Sequence, residues 1–411
     1  MPFDFVGGPL TDVDALAAIA TRRTRSMFAE ACALREHEIA ACLRGARVFV
    51  VGGAGSIGSA TVRLISEHPT AALHVSDLSE NYLADLVREL RNRPRGIRAR
   101  DFRTYTLDYG GTAMAHLLAN EPAFDVVLCF AAHKHVRGER DGYSLLSMVD
   151  TNLLKLARFK ECVATHGHGK RLFSVSTDKA ANPSSAMGAS KRAMEDVLFG
   201  HATRRDMGVA TARFANVAFS NGSLLQAFLR GLGRGEPLAV PEATRRYFVS
   251  SEEAGHLCLL ASLLADDGGI VIPDLDPEAE LIELRTVAEG LLDRLGLEAR
   301  FTHDEAEAGR LARERPAGVY PVLLTRLDTG GEKPYEEFVA AGETARDWLP
   351  GLRLIDHVSG GRMAETLAEL RRIKSEGGTE TAVAGRIVAV LKQAVVHFAH
   401  RAMAENLDQR L

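Results

Sequence analysis

The chain has 411 residues, 50 Lys plus Arg against 54 Asp plus Glu, and a formal net charge of −4. That balance lacks the basic excess of a general nucleic-acid binder, and 46% hydrophobic with 25% charged residues excludes global disorder. The length suggests roughly two or three domains, and no apolar run reaches the ~18–20 residues of a membrane span.

Residues 11–43 carry Leu16, Ile19, Ala20, Phe28, Cys32, Ile39 and Cys42 at helical spacing and are predicted to be helix. Arg47–Val51 is a short β-branched run suited to a strand buried on both faces. Further strands are predicted at 72–76, 105–107, 126–130, 172–176 and 209–214. Helices are predicted between them at 57–66, 81–92, 144–166 and 187–204. Such alternation implies βαβ units, an α/β class and a parallel sheet. From about 221, Pro237, Pro241, Pro273, Pro277, Pro316, Pro321 and Pro334 punctuate shorter elements. Helical periodicity returns at 362–374 and 380–405. The expected organisation is a helical extension over 1–45, a nucleotide-binding domain over 46–220, a smaller substrate domain over 221–355 with segments returning to the first, and a helical tail over 356–411.

The start, MPFDFVGGPLTD, lacks the basic and apolar regions of a secretory signal. The five cysteines form no CxxC pair, which fits a reducing compartment, and a cytoplasmic protein is expected. The pairs His133/His135 and His166/His168 have no carboxylate or cysteine to complete a metal set, so no metal is expected.

Directly after the first strand comes Gly52-Gly53-Ala54-Gly55-Ser56-Ile57-Gly58, a GxGxxG turn opening a helix. One glycine permits the tight turn, one lets backbone approach a pyrophosphate, and one lets helix and sheet pack closely. The pyrophosphate would lie on the helix N-terminus near Ser56, where free N–H groups and the dipole favour an anion. Asp77 ends the second strand, close to the ~20-residue offset of a ribose-binding carboxylate. These features together predict a Rossmann-type, doubly wound sheet. Leu78 after Asp77 offers no partner for a 2′-phosphate, which leans toward NAD; an arginine such as Arg91 or Arg93 would reverse that toward NADP.

The fifth strand ends in Thr177-Asp178-Lys179, and Met187-Gly-Ala-Ser-Lys191 follows. The stretches VGGAGSIGSA, DLSENYL, FAAHKHV, DTNLLK, VSTDKAANPSSAMGASK, ARFANVAFSNGS, RYFVSSEEAG and GGEKPYEEF run in order from about 48 to 338. In these motifs the chain resembles the extended short-chain dehydrogenase/reductases. More narrowly, it resembles the CapD-like nucleotide-sugar 4,6-dehydratases of polysaccharide biosynthesis, which act on UDP-N-acetylglucosamine.

The resemblance implies oxidation at sugar C4, proton removal at C5, loss of the C6 hydroxyl as water and return of hydride to C6. It implies Asp178 as acid, Lys179 as base and Thr177 as the donor to the C4 oxygen. A base lysine must be neutral, so burial or the charge of Lys191 is expected to lower the pKa of Lys179. Most of the superfamily has YxxxK, where the tyrosine takes the hydroxyl proton and the lysine holds the nicotinamide ribose. Here Met187 replaces the tyrosine, as in some of these dehydratases. The C4-hydroxyl base is left open between Lys191, Lys179 and a bound water, and a plain core role for Met187 stands beside a place in the site.

By the same resemblance Asp108, with Tyr109, meets the adenine side of the cofactor, and Ala131 and Ala132 let it pass. Lys134 and His135 lie near cofactor and substrate. Asn152 supports the catalytic segment, unless it is a plain cap or core residue. Asn216 contacts substrate, Arg245 and Arg246 meet its diphosphate or form a solvated turn, and Glu332 and Lys333 are similar cases. A sugar-nucleotide epimerase, a 5,6-alkene-forming dehydratase and a non-catalytic NAD-sensing protein are the alternative readings. A homo-oligomer paired through the helices at 144–166 and 187–204 is expected.

Overall fold

The computed structural model describes residues 13–134, 139, 141–200, 206–326, 333, 335–358 and 360–400. A nine-stranded sheet forms its centre. The first six strands in the chain are β1 (Arg47–Val51), β2 (Ala72–Asp77), β3 (Asp101–Thr106), β4 (Val126–Cys129), β5 (Arg171–Thr177) and β6 (Gly208–Phe214). Across the sheet the order is 345–349, 352–356, 269–273, β6, β5, β4, β1, β2, β3. The strands from β3 to 269–273 pair in parallel, and the last two edge strands are antiparallel. Val48–Val51 and Val126–Cys129 are wholly buried, as the centre of a sheet covered on both faces requires. Strand order reverses between β1 and β4, the place where an open α/β sheet forms its ligand crevice.

Helices 56–66, 80–92 and 251–264 cover one face; helices 112–120, 142–149, 156–165 and 186–200 cover the other. Sequence sets these ends locally. Ser79 caps the helix after β2 by accepting from the Tyr82 N–H. Ser250 and Glu253 form a reciprocal capping box at the start of helix 251–264. A smaller lobe holds two three-stranded sheets, 281–283/245–249/216–217 and 298–302/319–325/238–241, packed with helices 224–234 and 284–294.

The helix predicted over 11–43 is three helices, Val13–Thr21, Ala29–Leu34 and Glu36–Leu43. The Thr21 hydroxyl donates back to the Ala17 carbonyl, and Arg22 takes a left-handed φ of 56°, which ends the first helix. Leu16, Ala17 and Ala20 then enter the core of the small lobe, while Phe28, Ala31, Ile39 and Leu43 join the core of the large sheet. Arg23 fastens the junction, donating to Glu253, Glu280 and the Phe248 carbonyl.

The helix predicted over 144–166 is broken by a π-helical turn, Asp150–Lys155. At this turn the buried Tyr109 hydroxyl, from a distant segment, donates to the Thr151 carbonyl. The last helix stops at 394 rather than 405.

Tail helices 363–376 and 380–394 fold back onto helices 142–149 and 186–200. They bury Leu367, Leu370, Ile373, Val383, Ile387 and Leu391 in one core with Leu145, Met148, Met194 and Val197. At Gly142 a Cβ would lie 2.1 Å from the Glu380 carbonyl oxygen, so only glycine admits the contact. The face expected to pair two subunits is therefore covered from within the chain. Among the described residues, no helix is long and apolar enough to cross a membrane.

Beneath the site, Arg213 of β6 is fully buried. It donates to both Glu195 oxygens at 2.9 and 2.8 Å, to both Glu343 oxygens, and to the Phe338 carbonyl at 2.8 Å. All five guanidinium donors are thereby used. Arg213→Ala leaves Glu195 charged and enclosed, so we expect a loss of about 3–5 kcal/mol in urea unfolding, against about 1 kcal/mol or less for the exposed pair mutant Arg88→Ala.

Candidate active site

The crevice begins at the glycine turn. A Cβ on Gly52 would lie 2.6 Å from the Ala131 nitrogen, so the ends of β1 and β4 touch here and the turn admits no side chain. A Cβ on Gly58 would lie 2.3 Å from the Gly52 oxygen, which explains the close approach of helix to turn. Gly55 differs: among the described residues a Cβ there would meet the Gly52 oxygen alone, at an unstrained 3.5 Å. It precedes helix 56–66, whose N-terminus has no capping side chain. Free N–H groups facing an open cradle suit a pyrophosphate, so the residues fit a dinucleotide.

Asp77 stands beside the turn. Its Oδ2 accepts from Ala54 N and its Oδ1 from Ser79 N, which fixes the carboxylate at the end of β2. Leu78 is 70% exposed and Ile57 is partly buried against the core. Arg93 pairs with Glu67, and Arg91 lies in the last turn of helix 80–92, roughly 16 Å along its axis from Glu80 at 1.5 Å per residue. Neither arginine is placed to meet a 2′-phosphate at Asp77.

Asp108 lies two residues beyond β3 and is held by Lys155 Nζ at 2.5 Å and Gly110 N at 3.0 Å. Tyr109 corrects an expectation. Its ring is buried beside Phe159 and its hydroxyl is spent on Thr151, so its side chain is a core element and not a cofactor contact. Ala131 and Ala132 are half-buried at the end of β4 and Lys134 is exposed. His135 and Glu332 lie outside the described residues.

The turn after β5 gathers the chemistry. Asp178 is 2% exposed, and its Oδ1 accepts from Thr177 Oγ1 at 2.7 Å, Lys179 N at 2.9 Å and Lys179 Nζ at 3.1 Å. Its Oδ2 is enclosed without a hydrogen bond among the described residues. Burial works to lower the Lys179 pKa, but the Asp178 and Glu336 carboxylates outweigh it and hold the amine above its ordinary value. This corrects the expectation of a lowered Lys179, because two carboxylates rather than Lys191 are its neighbours.

The lowered lysine is Lys191. Burial brings it to about 8, and its Nζ donates to the Val175 carbonyl at 2.6 Å, with the Met194 sulfur at 3.1 Å. Met187, four residues earlier, is buried. Asn152, on the π turn, ties the parts together. It accepts from His133 N at 2.8 Å and donates to the His133 carbonyl and Ser190 Oγ, both at 3.0 Å. The segment after β4 and the Met187–Lys191 helix are thus locked to each other.

The small lobe meets this turn through residues that carried little sequence signal. Arg245, the first residue of its strand, is exposed and Arg246 is buried. Arg246 donates to the Arg245 and Lys333 carbonyls. Asn216 Nδ2 donates to the Tyr247 carbonyl at 3.3 Å. Lys333 donates to the Asn182 carbonyl, and Asn182 binds Glu337 and Ala341 N. Glu336, 4% exposed, sits 3.9 Å from Lys179 Nζ. Glu139, also unforeseen, accepts from Ala186 N and Met187 N at the start of the lysine helix. Glu336 lies within the GGEKPYEEF stretch, and Glu139 lies three residues beyond FAAHKHV. Among the described residues no three His, Cys, Asp or Glu side chains are grouped to hold a metal.

A family model described as "Polysaccharide biosynthesis protein" matches residues 48–347. "Capsular polysaccharide biosynthesis protein CapD" of Staphylococcus aureus is 31% identical over 240 residues, 58% of this chain and 39% of that protein. "Probable polysaccharide biosynthesis protein EpsC" of Bacillus subtilis is 26% identical over 321 residues, 78% of this chain and 52% of that protein. The chain thus spans about two fifths to a half of these relatives' length. Among solved structures, Pen from Bacillus thuringiensis superposes with a TM-score of 0.63 at 20% identity, covering 78% of this chain and 89% of that one. A UDP-N-acetylglucosamine 4-epimerase from Methanobrevibacter ruminantium M1, in complex with UDP-N-acetylmuramic acid, gives 0.54 at 14% identity, covering 73% and 91%. The sheet is of the Rossmann type these structures share, and the match over 48–347 shows that the chain belongs to the polysaccharide biosynthesis protein family.

Proposed function

We propose that the protein is an NAD-dependent nucleotide-sugar 4,6-dehydratase acting on UDP-N-acetylglucosamine in the cytoplasm. The observation that carries this reading is the Thr177-Asp178-Lys179 turn, a carboxyl and an amine 3.1 Å apart at the carboxyl end of β5. C4 epimerisation needs no acid–base pair for C5 and C6; elimination does.

NAD, when bound, supplies the oxidation at C4 and the hydride for C6. Gly55 and the N–H groups of Ser56 and Ile57 would hold its pyrophosphate, and Asp77 its adenosine ribose. With Arg91 and Arg93 remote from Asp77, the site favours NAD over NADP.

Lys191, whose amine becomes available near pH 8, is the stronger of the open choices for the C4-hydroxyl proton, since Lys179 is held as an ammonium. Thr177 Oγ1, bonded at rest to Asp178, turns to the C4 oxygen. Lys179, in its amine form, takes the C5 proton and passes it to the Asp178 carboxylate 3.1 Å away, which delivers it to the departing C6 hydroxyl as water leaves. The fixed separation of these groups on one tight turn supports removal of a proton and a hydroxyl from neighbouring carbons. Arg246 and Lys333 carry the positive charge at the small-lobe side, suited to a diphosphate.

Incubation with UDP-N-acetylglucosamine should give a product lighter by one water, with a 4-keto signal in its proton NMR spectrum. No mass loss across several nucleotide sugars would remove the reading. Lys179→Ala should abolish C5 deuterium uptake from heavy water. The cradle has its own test: Gly55→Val should weaken NAD binding at least tenfold in calorimetry while leaving the unfolding midpoint nearly unchanged. Gly58→Ala, driven into the Gly52 carbonyl, should lower that midpoint.

A further inference from the structure

The dehydratase reading leaves one buried carboxyl beside Lys179 without a task. Glu336 is placed by the segment that Arg213 holds through Phe338 and Glu343. Its Oε1 is 3.9 Å from Lys179 Nζ. Its Oε2 is enclosed and makes no hydrogen bond among the described residues, with the Lys333 ammonium 3.8 Å away. The charged groups facing the Lys179–Glu336 pair are Asp178 from the β5 turn, Arg246 from strand 245–249 and Lys333 from Glu336's own segment.

A lysine held as ammonium takes no proton from C5. It must first give one up to a group within reach. Asp178 is nearer, but its Oδ1 already accepts three hydrogen bonds, two of them from Lys179 itself, and its Oδ2, unbonded among the described residues, is committed to the C6 hydroxyl. Glu336 has an oxygen to spare, and leaving that oxygen charged and unsatisfied in the interior is costly. Burial and the Asp178 charge raise its pKa above the usual carboxyl range, against the pull of Lys179.

We propose that Glu336 is a positioning residue that acts through Lys179: it accepts one proton from the Lys179 ammonium when a ligand fills the site, holds it while the amine works, and returns it afterwards. The proposal rests on the dehydratase reading. One Nζ–H bond breaks and one Oε–H bond forms; ammonium and carboxylate become amine and carboxylic acid, with no change in net charge. Filling the site expels water, which favours the neutral pair over the ion pair. The gap closes by a side-chain rotation or one bridging water.

Two measurements test it. In the ligand-free protein, an infrared pH titration should show a protonated-carboxyl band that persists above the ~4.3 of an ordinary glutamate and that Glu336→Gln removes. Absence of such a band overturns the proposal. With UDP-N-acetylglucosamine in heavy water, wild-type C5 exchange should rise between pH 6 and 9 only as Lys191, near 8, gives up its proton. Relative to wild type, Glu336→Gln should lose at least tenfold at pH 6.5 and regain the difference as pH rises, because Lys179 must then lose its proton to solvent. Glu336→Asp should restore the wild-type profile. A Gln variant whose profile runs parallel to wild type overturns the proposal, since a purely structural role lowers the rate evenly. Should the Gln variant not fold, the wild-type profile decides: a rise steeper than tenfold per pH unit, which needs a second titrating base beside Lys191, overturns it. No exchange by wild type on any nucleotide sugar removes the dehydratase reading alone, and the infrared band still decides where the proton sits.

Discussion

The Arg213 guanidinium holds the site together. Five N–H groups with no solvent contact meet two carboxylates and a carbonyl from two distant parts of the chain. Glu195 belongs to the helix that carries Met187 and Lys191; Phe338 and Glu343 belong to the segment that carries Glu336. Glu195 also accepts from Ser176 on β5, one residue before the Thr177-Asp178-Lys179 turn. Burial alone would raise the Glu195 pKa, but Arg213 brings it to about 2, so the network stays charged across the range in which an enzyme works. A charged centre of this kind gains little over an apolar one in stability. What it gives here is register: the acid–base turn, the lysine helix and the small-lobe segment take their positions from one planar fork.

Two lysines within this frame are tuned in opposite directions by the same physics. Both are buried, and burial disfavours the ammonium in each. Lys179 faces the carboxylates of Asp178 and Glu336 and stays charged. Lys191 is lowered by burial, faces a backbone carbonyl and a thioether, with only weak opposition from Cys129 and Glu195, and drops to about 8. The difference lies in which side chains complete each pocket, not in depth. Separate proton tasks at C4 and C5 need two such groups that do not titrate together.

Much of this was legible in the sequence because it is local. The β1 run, the glycine turn, Asp77 and the strand–helix alternation each lie within a short window, and the parallel sheet follows from their order. The Thr177-Asp178-Lys179 turn was legible as a motif. Its electrostatics were not, because Glu336 comes from a distant segment and only the fold brings it to Lys179. The Asp150–Lys155 π turn was hidden for a related reason: its helical periodicity is ordinary, and the Tyr109 hydroxyl that opens it sits on another element. The same hydroxyl removes Tyr109 from the cofactor contacts that its neighbour Asp108 suggested. Arg245 and Arg246 read as one basic pair until the fold left the first exposed and buried the second.

The tail shows how periodicity can be right about an element and silent about its partner. Helices 363–376 and 380–394 were expected, yet their apolar stripe fits a second subunit as well as it fits the chain's own body. The fold chooses the body. Leu367, Leu370, Ile373, Ile387 and Leu391 are almost wholly buried, each worth about 1.5–3 kcal/mol before the entropy of ordering the tail is counted. Their partners include Met194 and Val197, on the helix that bears Lys191, and Met148, just before the π turn that bears Asn152. Met194 in turn places its sulfur 3.1 Å from Lys191 Nζ. The tail therefore backs the lysine helix from behind and keeps water from its far side. The lowered Lys191 amine depends on that dry wall as much as on the residues that line the crevice.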